Sequence, residues 1–147
     1  VTIKQEFHVL QQYADIQKFR YDDSFQVALE CDEAVELKKI PKLLIQPLLE
    51  NAIFHGVEFK KGEGMIIITA REKDGDVVVT VEDNGMGIQP EVIEKINRGE
   101  QISEKTHVGI LNVKERIQLN FGENYGMKIE STQWMGTRII LTFPAID

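Results

Sequence analysis

Apolar and polar positions along this chain repeat with two different periods, and the switches between them predict its elements. Near the start, Ile3, Phe7, Leu10 and Ala14 recur at spacings of four, three and four behind a Thr2/Gln5 capping-box pattern, which predicts a helix to about Arg20. A second stripe on that helix, Val9, Tyr13 and Ile16, predicts packing on more than one side. Phe25, Val27 and Leu29 then alternate with Gln26, Ala28 and Glu30, the period of a half-buried strand. From Pro41 the helical period returns through Leu43, Leu44, Pro47, Leu48, Ala52 and His55 and stops at Gly56. Pro47 is expected either to kink that helix or to mark its true start. Residues 65–71 and 76–82 are rich in Ile, Val and Thr, and with Lys73, Asp74 and Gly75 between them they predict an antiparallel hairpin.

Further on, Pro90 starts a helix to about Asn97, and residues 98–108 are polar and aperiodic, the pattern of a mobile loop. Gly109 opens a helix carrying Ile110, Val113, Ile117 and Phe121 on one stripe, which Gly122, Asn124 and Gly126 terminate. Residues 127–132 and 137–143 read as two final strands around a turn containing Gly136. Strands joined in pairs by short turns, interleaved with amphipathic helices, predict an α+β fold: a two-layer sandwich whose mixed, mostly antiparallel sheet carries its helices on one face.

Composition narrows the function. At 147 residues, 42% hydrophobic and 28% charged, the chain has enough apolar residues for one folded core and none of the bias of disordered or disulfide-built proteins. Net charge is −7 and Lys and Arg are scattered, so the basic stripe that a nucleic-acid backbone demands is missing and nucleic acid is not an expected partner. Cys31 has no second cysteine to pair with and reads as an idle thiol in a reducing compartment. No apolar run approaches the ~20 residues of a membrane span, and Lys4 and Glu6 stand where a signal peptide would be apolar. The fragment is therefore expected to be soluble, without membrane contact of its own. Its start at Val1 suggests excision from a longer parent, and the one expected boundary separates a helical segment, residues 1–22, from a domain spanning residues 23–147.

Three stretches can carry chemistry. In Asp83, Asn84, Gly85, Met86 and Gly87, a carboxylate at a strand end can accept from a ligand's exocyclic amine, while the glycines let backbone approach a flat ring such as adenine; alone, the pattern is also an ordinary turn. It is no Rossmann fingerprint, because Pro90 stands where the third glycine belongs, and no P-loop lysine exists. In the second stretch Asn51 and His55 are four apart on one helical face with Glu50 on the flank. A lone Asn oxygen suffices for Mg²⁺ held mainly by phosphates, and the alternative is a capping Asn beside an idle His. The third is Gly109 opening a helix, whose first amides attract phosphate. His107 is a candidate phosphate contact or an exposed loop residue. His8 lacks the acidic or proline context of a phosphoacceptor, and Trp134 and Met135 read as packing residues rather than a cofactor box.

The order and spacing of these stretches resemble the GHKL superfamily, which includes histidine kinases, type II topoisomerases, MutL and heat-shock chaperone ATPases, and among them the LytS/YesM-type sensor kinases. Residues 40–56 resemble that family's N box, residues 83–88 its first glycine box and residues 109–117 its second; similarity continues through residues 120–126 and Gly136, Thr137 and Arg138. The resemblance implies a Bergerat-type fold with ATP between helices and sheet, under a lid of about residues 86–108. By position, Asn51 would bind Mg²⁺, Asp83 the adenine amine, and Gly85, Gly87 and Ile88 would line the base. Gly109, Ile110 and Leu111 would hold phosphates, with His55, His107 and Thr137 also in the nucleotide site.

The implied reaction is phosphoryl transfer from Mg·ATP to a histidine on a separate helix, in a dimer partner or elsewhere in the parent, with a response regulator downstream. The implied location is cytoplasmic, in a membrane-anchored sensor, with the first helix as the end of the dimerisation and phosphoacceptor segment. Three departures stand out: His107 where the second box has its first glycine, Phe54 where the N box often has Lys, and Trp134 where the last glycine pair begins. They leave open a second function, a non-catalytic, nucleotide-gated binding module. Pro47 occupies the place of the Glu that activates water in related hydrolases, so little hydrolysis is expected. Glu50 is the candidate to orient the acceptor imidazole.

Overall fold

The Thr2/Gln5 pattern folds as a reciprocal cap: Gln5 N–H donates to Thr2 Oγ1 (3.1 Å) and Thr2 N–H to Gln5 Oε1 (2.9 Å), opening helix α1 (Ile3–Arg20). The structure, a computed structural model, describes residues 1–20, 24–57, 62–100 and 107–147. Along α1 the expected stripe of Ile3, Phe7, Leu10 and Ala14 is buried in the common core. Of the second stripe, Tyr13 packs against that core, whereas Val9 and Ile16, together with Phe19, face outward.

Strand β1 (Phe25–Cys31) is followed by turns and by helix α2 (Gln46–Asn51), which continues into a π-helical turn (Ala52–Gly56). Pro47 thus marks the start of the helix: it sits in the first turn, where its missing N–H is harmless, and residues 41–45 are not helical. Strands β2 (Gly64–Lys73) and β3 (Asp76–Asp83) form the predicted hairpin, in which Asp74 and Gly75 both take positive φ (53° and 83°), the geometry that matches strand twist. Helices α3 (Pro90–Asn97) and α4 (Val108–Phe121) precede strands β4 (Gly126–Thr132) and β5 (Gly136–Pro144).

The sheet order is β1-β2-β3-β5-β4, and β1 and β2 run parallel while the other three pairings are antiparallel. A parallel pair needs a crossover, and the segment carrying α2 supplies it. Alternation then assigns the faces. Ile66, Ile68 and Ala70 on β2, Val77, Val79 and Val81 on β3, and Ile139, Leu141 and Phe143 on β5 are buried beneath the helices. Their alternates, among them Ile67, Thr69, Val78, Thr80 and Ile140, are half-buried on the other face. From α4, Ile110, Val113 and Ile117 join the core and Phe121 stacks on Phe143 at 5.7 Å. No helix among the described residues is long and apolar enough to cross a membrane.

The register puts chemistry at one end of the helix-covered face. Asp83 continues the buried alternation of Val77, Val79 and Val81, and Thr137, its partner across β5, continues that of Ile139 and Leu141.

A candidate nucleotide site at the end of the sheet

Asp83 ends β3 with its side chain on the helix side, only 8% exposed. Its Oδ1 accepts from Gly85 N–H at 2.8 Å and the carboxyl also accepts from the Thr137 backbone amide. Burial nevertheless dominates and pushes its pKa up to about 6, against the opposing pull of those two amides, with Glu82 adding to the rise. A largely desolvated carboxylate is further stabilised by a ligand that brings an N–H.

Around it the backbone is tightly constrained. Gly136, in the β4–β5 turn at φ 131°, lies so close that a Cβ would meet Asp83 O at 2.1 Å. Gly87 stands at φ 82°, where a Cβ would meet Thr132 O at 2.7 Å. Ile88 N–H donates to Ser131 Oγ (2.8 Å), which also bonds Gly136 O and Thr137 Oγ1, so one hydroxyl joins the glycine loop to two strands. Trp134 is exposed at the same turn in a left-handed conformation (φ 66°), and its N–H donates to Met86 O at 2.7 Å. Asn84 ties the loop to β2, accepting from Met65 N–H and donating to Glu63 O.

The second group lies where α2 widens into the π turn, which packs on β3. Single π turns inside α-helices cluster at functional sites because they reposition side chains by one residue. Asn51, 9% exposed, directs Oδ1 at His107 Nδ1 (3.3 Å), and the His55 and His107 rings meet edge to face with centroids 6.0 Å apart. The fold therefore gathers Asn51, His55 and His107, although 56 residues separate the first from the last. Glu50 is half-buried and accepts from Gln46 Nε2 at 3.2 Å. Phe54 packs against the core.

Helix α4 begins at Val108 with His107 as N-cap residue, and His107 makes no side-chain bond to the helix's own amides. Gly109 adjoins α2, where a Cβ would lie 3.6 Å from Pro47 Cβ, an ordinary contact. Ile110 and Leu111 are buried, so their side chains serve packing. In the segment expected to be a lid, α3 is anchored: Lys114 Nζ on α4 donates to Ile96 O (2.9 Å) and Asn97 O (2.6 Å) at its end. Residues 101–106 of that lid lie outside the described residues.

Other candidates fall elsewhere. His8 is exposed on α1, and the Cys31 thiol, on the far edge strand, has its pKa raised by burial and by Glu36 and Asp32, which makes it a poor nucleophile. Ser131 is not among the residues that the sequence singles out, and its one signal there is its place six residues before Thr137 across a tight turn.

Residues 38–147 match the family model described as histidine kinase-, DNA gyrase B- and HSP90-like ATPase. Over 98% of its length the chain is 40% identical to the sensor histidine kinase YesM of Bacillus subtilis and 39% identical to the sensor histidine kinase YpdA of Escherichia coli, and it spans about a quarter (24%) of each. Among solved structures, the catalytic domain of the histidine kinase ThkA superposes with a TM-score of 0.73 at 18% identity, covering 99% of this chain and 95% of that one. The histidine kinase domain of the blue-light-activated kinase of Erythrobacter litoralis superposes at 0.66 with 19% identity, covering 99% and 62%. The fold is thus that of histidine kinase catalytic domains, and the family match extends from just before α2 through both glycine loops to the final strand: the chain belongs to the histidine kinase-, DNA gyrase B- and HSP90-like ATPase family.

Proposed function

We propose that this chain is the ATP-binding catalytic domain of a cytoplasmic sensor-kinase module, transferring the γ-phosphoryl group of Mg·ATP to a histidine outside these 147 residues. The observation that carries this reading is the pairing of two nearly buried polar side chains on the helix-covered side of one sheet, Asp83 at a strand end and Asn51 at a widened helix turn. Asp83, ionised above pH about 6, accepts the adenine amine. Gly85, Gly87 and Ile88 line the base, and Thr137 steadies the carboxyl through its amide.

The Asn51 amide offers a neutral oxygen beside the His55/His107 pair, a ligand suited to a Mg²⁺ ion that keeps most of its ligands from phosphates and water. Bound there, Mg²⁺ would neutralise phosphate charge as it develops. The first amides of α4, at Gly109, Ile110 and Leu111, orient the phosphates from the helix's positive end. Glu50, beside Asn51, orients the acceptor imidazole for in-line attack. Pro47 lies one turn before Asn51 and offers no carboxylate for water, which favours transfer over hydrolysis. Because the chain spans about a quarter of its curated relatives, we place the acceptor histidine elsewhere in the parent or in a dimer partner, with a response regulator as final recipient and α1 as the end of the acceptor segment.

Incubating the chain with labelled Mg·ATP and a helical fragment bearing the acceptor should yield acid-labile phosphohistidine; none under any divalent-metal condition sinks the reading. Asn51→Ala should abolish the Mg²⁺-dependent part of nucleotide affinity and Asp83→Asn should weaken adenine recognition.

The hydrogen bond from His107 to Asn51 favours a second reading, a nucleotide-gated module without transfer, because it engages the oxygen that the metal needs. Calorimetry with a non-hydrolysable ATP analogue separates the two: Mg²⁺-dependent binding without phosphohistidine supports the gated module.

A further inference from the structure

The strand-to-helix turn before α2 is held in an unusual shape from both sides. Leu43 sits at φ 60°, a left-handed conformation that a leucine avoids unless its surroundings impose it. Glu6 of α1, 2% exposed, accepts Leu43 N–H on Oε1 (3.1 Å) and Ile45 N–H on Oε2 (3.2 Å). From the opposite side Arg116 of α4 donates through Nη1 to Leu43 O (3.0 Å) and through Nη2 to Lys42 O (2.8 Å). One carboxyl takes two peptide donors and one guanidinium supplies two peptide acceptors, so both arms are bidentate and fix orientation as well as distance.

The clamped residues lead straight into the site. Ile45 is the N-cap residue of α2 and its carbonyl accepts from Leu48 N–H and Leu49 N–H, so its peptide plane sets the direction of the helix. Asn51 is the last residue of that short helix. The far arm, Arg116, belongs to the helix whose first turn adjoins Pro47. Mere filling of the space beneath α1 would be served as well by an apolar side chain, whereas a buried carboxyl is costly unless its hydrogen bonds select one backbone shape.

We propose that Glu6 and Arg116 are positioning residues for the metal end of the site. By imposing the left-handed turn at Leu43 they set where Asn51 stands, and a displacement of α1 or α4 is carried to Asn51 while the Asp83 end, built on strands, stays in place. This rests on reading Asn51 as the Mg²⁺ ligand, and the test separates the two ideas.

The whole 147-residue chain is made with Glu6→Gln, with Arg116→Lys and with both. Arg116→Lys keeps charge and helix propensity but cannot fork, and so reports on the clamp in a chain that still folds. Two quantities are read: affinity for ADP with and without Mg²⁺, and, by NMR, amide exchange over residues 43–51 with the side-chain amide resonance of Asn51. Each single variant is expected to cut the Mg²⁺-dependent gain in affinity by about fivefold or more, with Mg²⁺-free affinity within about twofold, to speed exchange over residues 43–51 and to move the Asn51 resonance. The double variant should lose little more than the worse single one, since both arms act through one turn. Leu43→Gly in the Glu6→Gln chain should recover part of the gain, because glycine holds a positive φ without a clamp. Equal loss of both affinities, or unchanged exchange and an unmoved Asn51 resonance, overturns the proposal. Should the unaltered chain bind no Mg·nucleotide, the functional reading fails, and exchange and the Asn51 resonance alone decide the clamp.

Discussion

The two ends of the candidate site are built in different ways. At the Asp83 end, position comes from the sheet: adjacent strands set the register, and backbone amides, one serine hydroxyl and glycines without room for a Cβ fix the rest. At the Asn51 end, position comes from side chains reaching between helices: His107 to Asn51, Lys114 to the end of α3, Glu6 and Arg116 to the turn before α2. A strand ladder distributes an error over many bonds, whereas α2 and its π turn, seated on the core by Leu48, Leu49 and Ile53, take their fine placement from a few side-chain bonds and adjust when one is lost. On the proposed reading, the first end suits rigid recognition of a base. The second suits a step that must be adjusted.

The sharpest way to break this contrast is at two glycines. Gly136→Ala puts a Cβ on a backbone carbonyl at 2.1 Å in a left-handed residue and is expected to cost about 3 kcal/mol or more in urea unfolding. Gly109→Ala, which meets only ordinary contacts, should stay within about 1 kcal/mol. Similar costs for both would erase the distinction.

Next in size is the acid response of Asp83. Its native pKa of about 6 lies above the ordinary 3.8, so between those values the folded chain keeps a proton that the unfolded chain has released. The stability it contributes is complete below pH about 4 and is lost as pH rises through about 6, a swing of about 3 kcal/mol. In Asp83→Asn that slope should vanish from the pH dependence of the urea midpoint. Nucleotide affinity of the unaltered chain should be level above pH about 7 and fall below about 6, as the acceptor becomes protonated.

Smaller still is Ser131→Ala, which leaves the amide of Ile88 without its partner and should cost about 1–2 kcal/mol by urea titration. Its loss in nucleotide affinity should be the same with and without Mg²⁺, since it acts at the base end. The least effect on folding belongs to His107→Gly. Removing a half-buried ring at a helix start should change stability by less than about 1 kcal/mol, yet it frees the Asn51 oxygen and should raise Mg²⁺-dependent affinity several-fold in calorimetry. No gain there would mean that the histidine is no obstacle to the metal.

Much of this molecule is legible in the sequence. The capping box at Thr2, the apolar stripes of α1 and α4, the Asp74/Gly75 hairpin and the Pro90 helix are local signals, written in residues within a turn or two of each other. Asp83 and its glycines were legible for the same reason, since a strand end followed by glycines is a short pattern. Of the two alternatives open at Pro47 the structure takes the later start: the helical period runs on through Leu43 and Leu44, but the turn there is non-helical, held by Glu6 and Arg116 from 37 and 73 residues away in the chain. The π turn after Asn51 left no recognisable mark, because a widened turn uses the same residue types as an α-helix.

What the sequence determined by itself was the kind of each element, the face it would bury and the short motifs at its ends, since periodicity, capping and turn chemistry act between near neighbours. Tertiary structure alone decided that β1 pairs parallel with β2, that β5 enters between β3 and β4, and that His107 reaches Asn51. An apolar stripe specifies that a face must be covered but not by what. That choice rests on the packing of all the elements at once, and the Asn51 end of the site is built from contacts of that kind.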